Sequence, residues 1–318
     1  MAAVLLASAV LTLTFVLVEA APGSAADLIP AERPLPPEAR ARLEAAYGLD
    51  RPPLARYGTW LSCAVRGDLG WSISRGRPVA VVLAGALPAT LLLSGLALLV
   101  QIGLGVALGT LHVVRPRGPF DHAAGVLGLS LASIPTFWLA LMAILALSYR
   151  LPLFPPSSSR SIGADAWPLA ARALDTLWHA ALPATVLGLG AAAALARYVR
   201  AGLLRALGEE FVRAARARGV PPSRLVTRHA LRATLPPVVT LAGVSLPALV
   251  SGSLVVEVVF GWPGMGRLAY DAVVARDLPV VLATVLVATV VVVAGSLAAD
   301  LGLAWADPRA RGAVSEPA

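Results

Sequence analysis

A chain of 318 residues that is 58% hydrophobic and only 14% charged, with a mean hydropathy of +0.77, lies outside the composition of a soluble globular domain. All 26 of its basic residues are arginine, so the lysine that a phosphate-binding loop sets against a nucleotide is missing, and the chain is not itself a P-loop ATPase. The net charge of +8 does not point to nucleic acid, because the arginines fall between apolar stretches, and the single cysteine, Cys63, excludes an internal disulfide or a multi-cysteine metal site.

Six stretches of at least 18 residues carry no Asp, Glu or Arg: 1–18, 78–114, 122–149, 176–196, 233–256 and 278–299. About 20 apolar residues cross a bilayer, and a charge at the centre costs about 2.5–3.5 kcal/mol. The expected fold is therefore all-α, a polytopic membrane protein with six transmembrane helices. The first span lies within 1–20. Its end at Val18-Glu19-Ala20-Ala21 leaves a cleaved signal peptide as the alternative, although the usual basic flank is absent.

Residues 21–84 read as an external segment with short helices at Glu38 to Tyr47 and Leu54 to Val65, too small for an independent enzyme domain. The run 78–114 is too long for one straight crossing, so Pro88 is expected to separate an interfacial lead-in from a span near Leu87 to Leu111. Residues 85–305 then form a five-helix membrane domain. Arg150 to Asp175 is an external loop with turn residues Pro155 to Ser159, and 306–318 is a tail.

The densest arginine run falls in the 201–235 loop. Glu209 and Glu210 sit where a helix N-terminus favours negative charge, Arg213, Arg216 and Arg218 follow, and Gly219 is placed as a stop. Pro221 and Pro222 interrupt, and Ser223 to Leu235 reads as a second helix before Pro236 and Pro237 open the fifth span. Residues 197–232 hold nine arginines against two acids. With Arg115, Arg117, Arg309 and Arg311 this places thirteen arginines on one side, against five in the opposite loops, so both termini are expected in the cytoplasm.

The fifth span contains Gly243, Ser245, Pro247, Ser251, Gly252 and Ser253, which suggests a kinked helix with a small-residue face. That face serves either close helix packing or a polar pathway, and Ser245, Pro247, Ser251, Ser253, Glu257 and Trp262 are the pathway or gate candidates. Three glycines and a proline within Gly261 to Gly266 require a non-helical crossing, with Trp262 as a candidate interfacial anchor and Leu268 to Arg276 as a short surface helix. Glu19, Glu257 and Asp300 stand at span ends, where charge can reach water. Acidic pairs inside the spans are absent, which weighs against the alternative, a self-sufficient carrier or channel. Metalloprotease and serine hydrolase motifs are missing too, and His112, His122, His179 and His229 are scattered. Neither catalysis, nor a cofactor, nor a metal is expected.

Arg213-Ala214-Ala215, then Gly219, then Leu235-Pro236 resembles the cytoplasmic loop of permease subunits of ATP-binding-cassette importers, whose signature is Glu-Ala-Ala, three residues, Gly, and later Leu-Pro. Arg213 stands in place of the acid, and the gap to Leu235-Pro236 is longer than in the general signature. With Ala21-Pro22-Gly23, Gly67-Asp68-Leu69-Gly70, Ser133 to Trp138, Arg276-Asp277-Leu278-Pro279 and Asp307-Pro308-Arg309, the order is similar to the dipeptide/oligopeptide/nickel subgroup. The resemblance implies a cell (inner) membrane complex with a second homologous permease, two ATP-hydrolysing subunits and an external solute-binding protein. It also implies that Glu210, Phe211, Arg213, Ala214, Ala215, Ala217 and Gly219 couple the chain to the ATPases, and that the solute is a peptide or a similar small molecule.

Overall fold

The computed structural model describes residues 2–20, 52–114, 130 and 133–306, with side chains omitted at 2–6, at several positions of 237–252 and at 298–306. The chain divides into two compact units, Met1–Thr90 with Pro263–Val290, and Leu91–Trp262 with Val291–Ala318.

In the first unit, helix α1 (Ala2–Ala20) is joined by α2 (Pro53–Val65). Phe15 and Tyr57 stack at a tilt with centroids 4.9 Å apart, Thr12 Oγ1 lies 2.9 Å from the Tyr57 hydroxyl, and Arg56 pairs with Glu19. Glu19 is thus an ion-pair partner at the end of its helix. A short antiparallel ladder follows, β1 (Trp71–Ser72) with β2 (Arg77–Pro78), an exception to the all-helical expectation. Gly76, at φ +59, supplies the left-handed residue that closes its turn.

Helix α3 (Val79–Val114) presents Val79, Val82, Leu83 and Ala86 at helical spacing to Met265, Leu268 and Ala272 of α8 (Met265–Val274) and to Val280, Val281 and Ala283 of α9 (Leu278–Ala306). Pro88 does not divide α3: the helix is continuous. A proline costs one backbone bond, and a long helix packed through Leu83 and Ala86 before it and Leu93 after it tolerates the loss. Helix α8 begins three residues before the expected Leu268, because extended Gly264 leads in and the Thr90 hydroxyl accepts the Met265 N–H at 2.7 Å.

The second unit contains the rest of α3 from Leu91, α4 (Thr136–Ile144) continued by a π-helical turn Leu145–Arg150, α5 (Leu169–Leu207), α6 (Glu210–Ala217) and α7 (Leu231–Val259). At 1.5 Å per residue α5 is about 58 Å long, nearly twice a ~30 Å hydrocarbon core. It therefore takes in both the end of the loop expected to be external and the first arginines of the next one, Arg197, Arg200 and Arg205, where the sequence suggested a helix only over 176–196.

Helices pack against α5 where side chains are absent. A Cβ on Gly188 would lie 2.5 Å from the Ala97 carbonyl of α3, one on Gly105 2.9 Å from Leu195, and one on Gly109 2.7 Å from the Ala196 carbonyl. Gly202 meets Thr234 of α7 in the same way, at 2.5 Å. Around these points Leu195, Val199, Leu203, Val226, Ala230 and Val238 form one core. Lipid competes with apolar side chains for helix surfaces, so close backbone approach carries the association.

Pro236 and Pro237 do not begin a helix, contrary to the sequence expectation. The helical run starts at Pro222, passes through a π-helical segment Leu225–Ala230 and continues without a break into α7. The Glu38 to Tyr47 helix, the loop with Arg115 and Arg117, His122 and the tail lie outside the described residues. Among the described residues three helices are long and apolar enough to cross a membrane, Val79–Val114, Leu169–Leu207 and Leu278–Leu297, with shorter apolar helices at Ala7–Ala20 and Thr136–Arg150.

The glycine contacts lead to a direct stability test. Gly109→Ala and Gly188→Ala should each lower stability in detergent by about 1–3 kcal/mol, since the added methyl meets backbone that cannot yield. Gly103→Ala, at a position with open space around it, should be neutral or stabilising. Thermal unfolding of the three variants checks the contrast.

Candidate functional site

Helix α6 is short but closed at both ends. Extended Glu209 precedes it, Glu210 stands in its first turn and Arg216 in its last. At the far end Gly219, at φ +79, donates its N–H to the Arg216 carbonyl (3.0 Å), and Val220 donates to Ala215 (3.3 Å). This pair of bonds is the left-handed cap that only glycine adopts without strain.

The seat of α6 is apolar. Val212 and Ala215 are fully buried against Leu225, with Leu207 and Val220 alongside. Arg213 bends back so that Nε and Nη2 both donate to the Gly208 carbonyl, at 3.3 and 3.1 Å, which satisfies the C-terminal end of α5. The arginine standing where the general signature has an acid thus clasps the junction between α5 and α6.

Of the expected coupling residues, Glu210, Phe211, Arg213, Ala214, Ala217 and Gly219 are exposed, Phe211 to 46%. Ala215 is a correction: it faces Leu225 and is covered by this chain, because positions 212 and 215 share the inner face of the helix. The apolar residue offered outward is Phe211.

The pathway candidates divide. Ser245 Oγ accepts from Gln101 Nε2 of α3 at 3.0 Å and donates to the Leu241 carbonyl at 2.9 Å. Ser253 Oγ donates to Glu257 Oε1 at 2.9 Å, and Glu257 is fully buried. Glu257 is thus not a carboxylate reaching water at a span end. Trp262 is not an exposed interfacial anchor either, being 1% exposed. The reason lies in the chain reversal after α7. Gly261, at φ +62, and Trp262 donate N–H groups to Val258 (3.2 Å) and Glu257 (2.8 Å), which folds the indole back inside. From the loop before α5, Ser158 N–H bonds the Phe260 carbonyl at 2.9 Å. The side chains of Pro247 and Ser251 lie outside the described residues.

Two functional-looking residues escaped the sequence reading of sites. Gln101 is a polar group inside an apolar run, a signal that stood in the sequence. Asp277 is the other. Fully buried, its Oδ2 accepts from Ser72 Oγ (2.6 Å), Ser74 N–H (2.9 Å) and Ser74 Oγ (2.7 Å) of the hairpin. Its neighbour Arg276 caps α8 at φ +49, a conformation rare for a residue with a side chain.

Residues 101–312 match the family model described as binding-protein-dependent transport system inner membrane component. The chain is 35% identical over 298 residues to the oligopeptide transport system permease protein AppB of Bacillus subtilis, which aligns 93% of this chain and 92% of that one. Identity to the dipeptide transport system permease protein DppB of Escherichia coli is 34% over 315 residues, covering 94% and 93%. A putative peptide permease protein of Brucella suis is 39% identical over 268 residues, covering 84% and 82%. Among solved structures, one of the MetNI methionine ABC transporter in inward-facing conformations superposes with a TM-score of 0.51 over 72% of this chain and 97% of its own, and at 22% identity shares the fold.

Asp277→Ala should strand the three donors of the hairpin. The expected result is tryptic cleavage after Arg75 accelerated by about tenfold or more, since stranding the buried Ser72 hydroxyl alone costs about 1–3 kcal/mol. Timed digestion with mass-spectrometric site assignment measures it.

Proposed function

The chain belongs to the family of binding-protein-dependent transport system inner membrane components, and from that membership we propose that it forms the translocation pathway of a peptide importer driven by separate ATPases. The permease works with a second homologous permease, two ATP-hydrolysing subunits and an external solute-binding protein, and performs no catalysis of its own. Residues 1–20 and five further spans within 85–305 make six crossings, with the 201–235 loop and both termini in the cytoplasm. The names of the relatives at 34–39% identity, an oligopeptide, a dipeptide and a putative peptide permease, support peptides as the solute.

One observation carries the coupling part of this reading. Helix α6 has an outer face of Glu210, Phe211, Arg213, Ala214 and Ala217, while its inner face is locked to Leu225 at the start of the helical run into α7. Force applied to Phe211 by a partner cannot be absorbed by loose chain. Val212 and Ala215 press on Leu225, the Arg213 clasp holds Gly208, and the displacement passes into α7, where Ser245, Ser253 and Glu257 lie. Alanines at 214 and 217 let a partner's surface approach the helix closely. A rigid lever between an ATPase and a pathway helix is a hinge-type transmission.

Two outcomes test this. Proteoliposomes containing the whole complex should take up a dipeptide on ATP addition, whereas this polypeptide alone should transport none; transport by the isolated chain would establish a self-sufficient carrier. Gly219→Asp should insert normally yet hydrolyse ATP with little uptake, because a side chain at φ +79 disturbs the cap that aims α6. Normal uptake per ATP in that variant would sink the lever.

A further inference from the structure

The charges around α6 are lopsided. Residues 201–235 hold seven arginines against two acids, Glu209 and Glu210, and all nine side chains are exposed. Among the described residues none of the nine takes part in an ion pair. Arg224, Arg228 and Arg232 repeat every four residues, a spacing at which like charges repel along a helix. The two acids stand at the start of α6, whereas its far end carries Arg216 and Arg218. Nothing within the chain balances that end.

Phe211, Ala214 and Arg218 follow one another at steps of three and four residues, so they form one stripe on the exposed side of α6. At about 1.5 Å per residue, Arg218 lies about 10 Å from Phe211, with only the methyl of Ala214 between them. With 233–256 as the fifth span, this stripe stands beyond the lipid headgroups. The buried face of α6 rests on Leu225, and from Leu225 the helical run covers about 12 Å before the charge-free stretch begins at Ala233. A headgroup layer is only about 5–8 Å deep. The stripe is therefore offered to a water-soluble protein.

Resting on the coupling reading above, we propose that the ATPase surface receiving α6 is acidic: an apolar pocket takes Phe211, and a carboxylate about 10 Å away pairs with Arg218. A guanidinium meets a carboxylate through two parallel hydrogen bonds, which fixes direction as well as attraction. Ala214 lets the partner approach closely between the two anchors. Arg213 sharpens the choice from the flank. Its guanidinium bonds the Gly208 carbonyl yet remains exposed, so a groove built to pair with the acid of the general signature meets like charge instead. The chain thus selects an ATPase with an acid-lined groove and rejects one with a basic groove.

The test titrates the importer's ATPase subunit onto the two permeases held in phosphatidylcholine nanodiscs, with the dissociation constant as the readout. Arg218→Gln should weaken binding about tenfold and Arg218→Glu about a hundredfold, while Arg218→Lys, which keeps the charge, should stay within about threefold of the wild type. Wild-type binding should weaken about tenfold between about 50 and about 500 mM KCl, with a shallower dependence in the Gln variant. Wild-type affinity in Arg218→Gln, or wild-type binding indifferent to salt, would overturn the acidic groove and leave the coupling reading standing. Equal losses in the Gln and Lys variants would overturn it too, by giving the side chain to the end of α6 alone. A Gln variant that binds the ATPase normally but is no longer stabilised by phosphatidylglycerol in the nanodisc would assign the arginine to lipid headgroups, against the proposal. Wild-type permeases that bind no ATPase would overturn the coupling reading and this inference together. Should Arg218→Gln fail to insert, the salt dependence of the wild type decides by itself.

Discussion

Close backbone contact along α5 is the constraint on which the second unit depends. Gly105 and Gly109 of α3 and Gly188 and Gly202 of α5 all stand where a single methyl would enter a neighbouring helix. In water, burial of larger side chains would supply the attraction. In lipid the tails are as apolar as leucine, and the gain comes from dispersion and from carbonyl contacts that only small residues allow. Such contacts define register sharply, since sliding by one residue brings a Cβ into the wrong place. The polar bond between Gln101 and Ser245 is possible only because that register is held.

The same helix sets up the junction with α6. It runs on past its last apolar core residue to Leu207, ends at Gly208, and hands that carbonyl to Arg213. A short helix of eight residues has little stability of its own. Helix α6 is kept by its seat on Leu225, by the left-handed cap at Gly219 and by this clasp. Each is local to the junction, so the face with Phe211 stays exposed.

Chain reversals of one type recur at the ends of α6, α7 and α8, at Gly219, Gly261 and Arg276. At the first two, glycine removes the steric cost. At the third an arginine adopts the conformation, with a penalty of about 1 kcal/mol. The residue after it is Asp277, whose carboxylate collects three hydrogen bonds from Ser72 and Ser74. Charge-assisted bonds of that number outweigh the strain, which accounts for a non-glycine residue in a left-handed cap.

What the residues alone determined are the features governed by near neighbours and by solvent. Apolar runs long enough to span, the exclusion of a nucleotide-binding loop, the ends of α6, and the match to an importer permease were all legible, because each depends on local pattern. The side chains that meet were decided only by the tertiary structure. Ala214 and Ala215 are the same residue type one position apart, yet one is exposed and the other buried against Leu225. Glu257 and Trp262 sat at a helix end where water was expected, and a left-handed turn folded them inside. The prolines at 88, 236 and 237 resembled boundaries, but packing on both sides outweighed one lost backbone bond each. Asp277 finds Ser72 across 205 positions of sequence, and Gln101 finds Ser245 across 144. No local rule reaches that far: which polar groups pair in a low-dielectric interior is settled by the helix register that small residues allow.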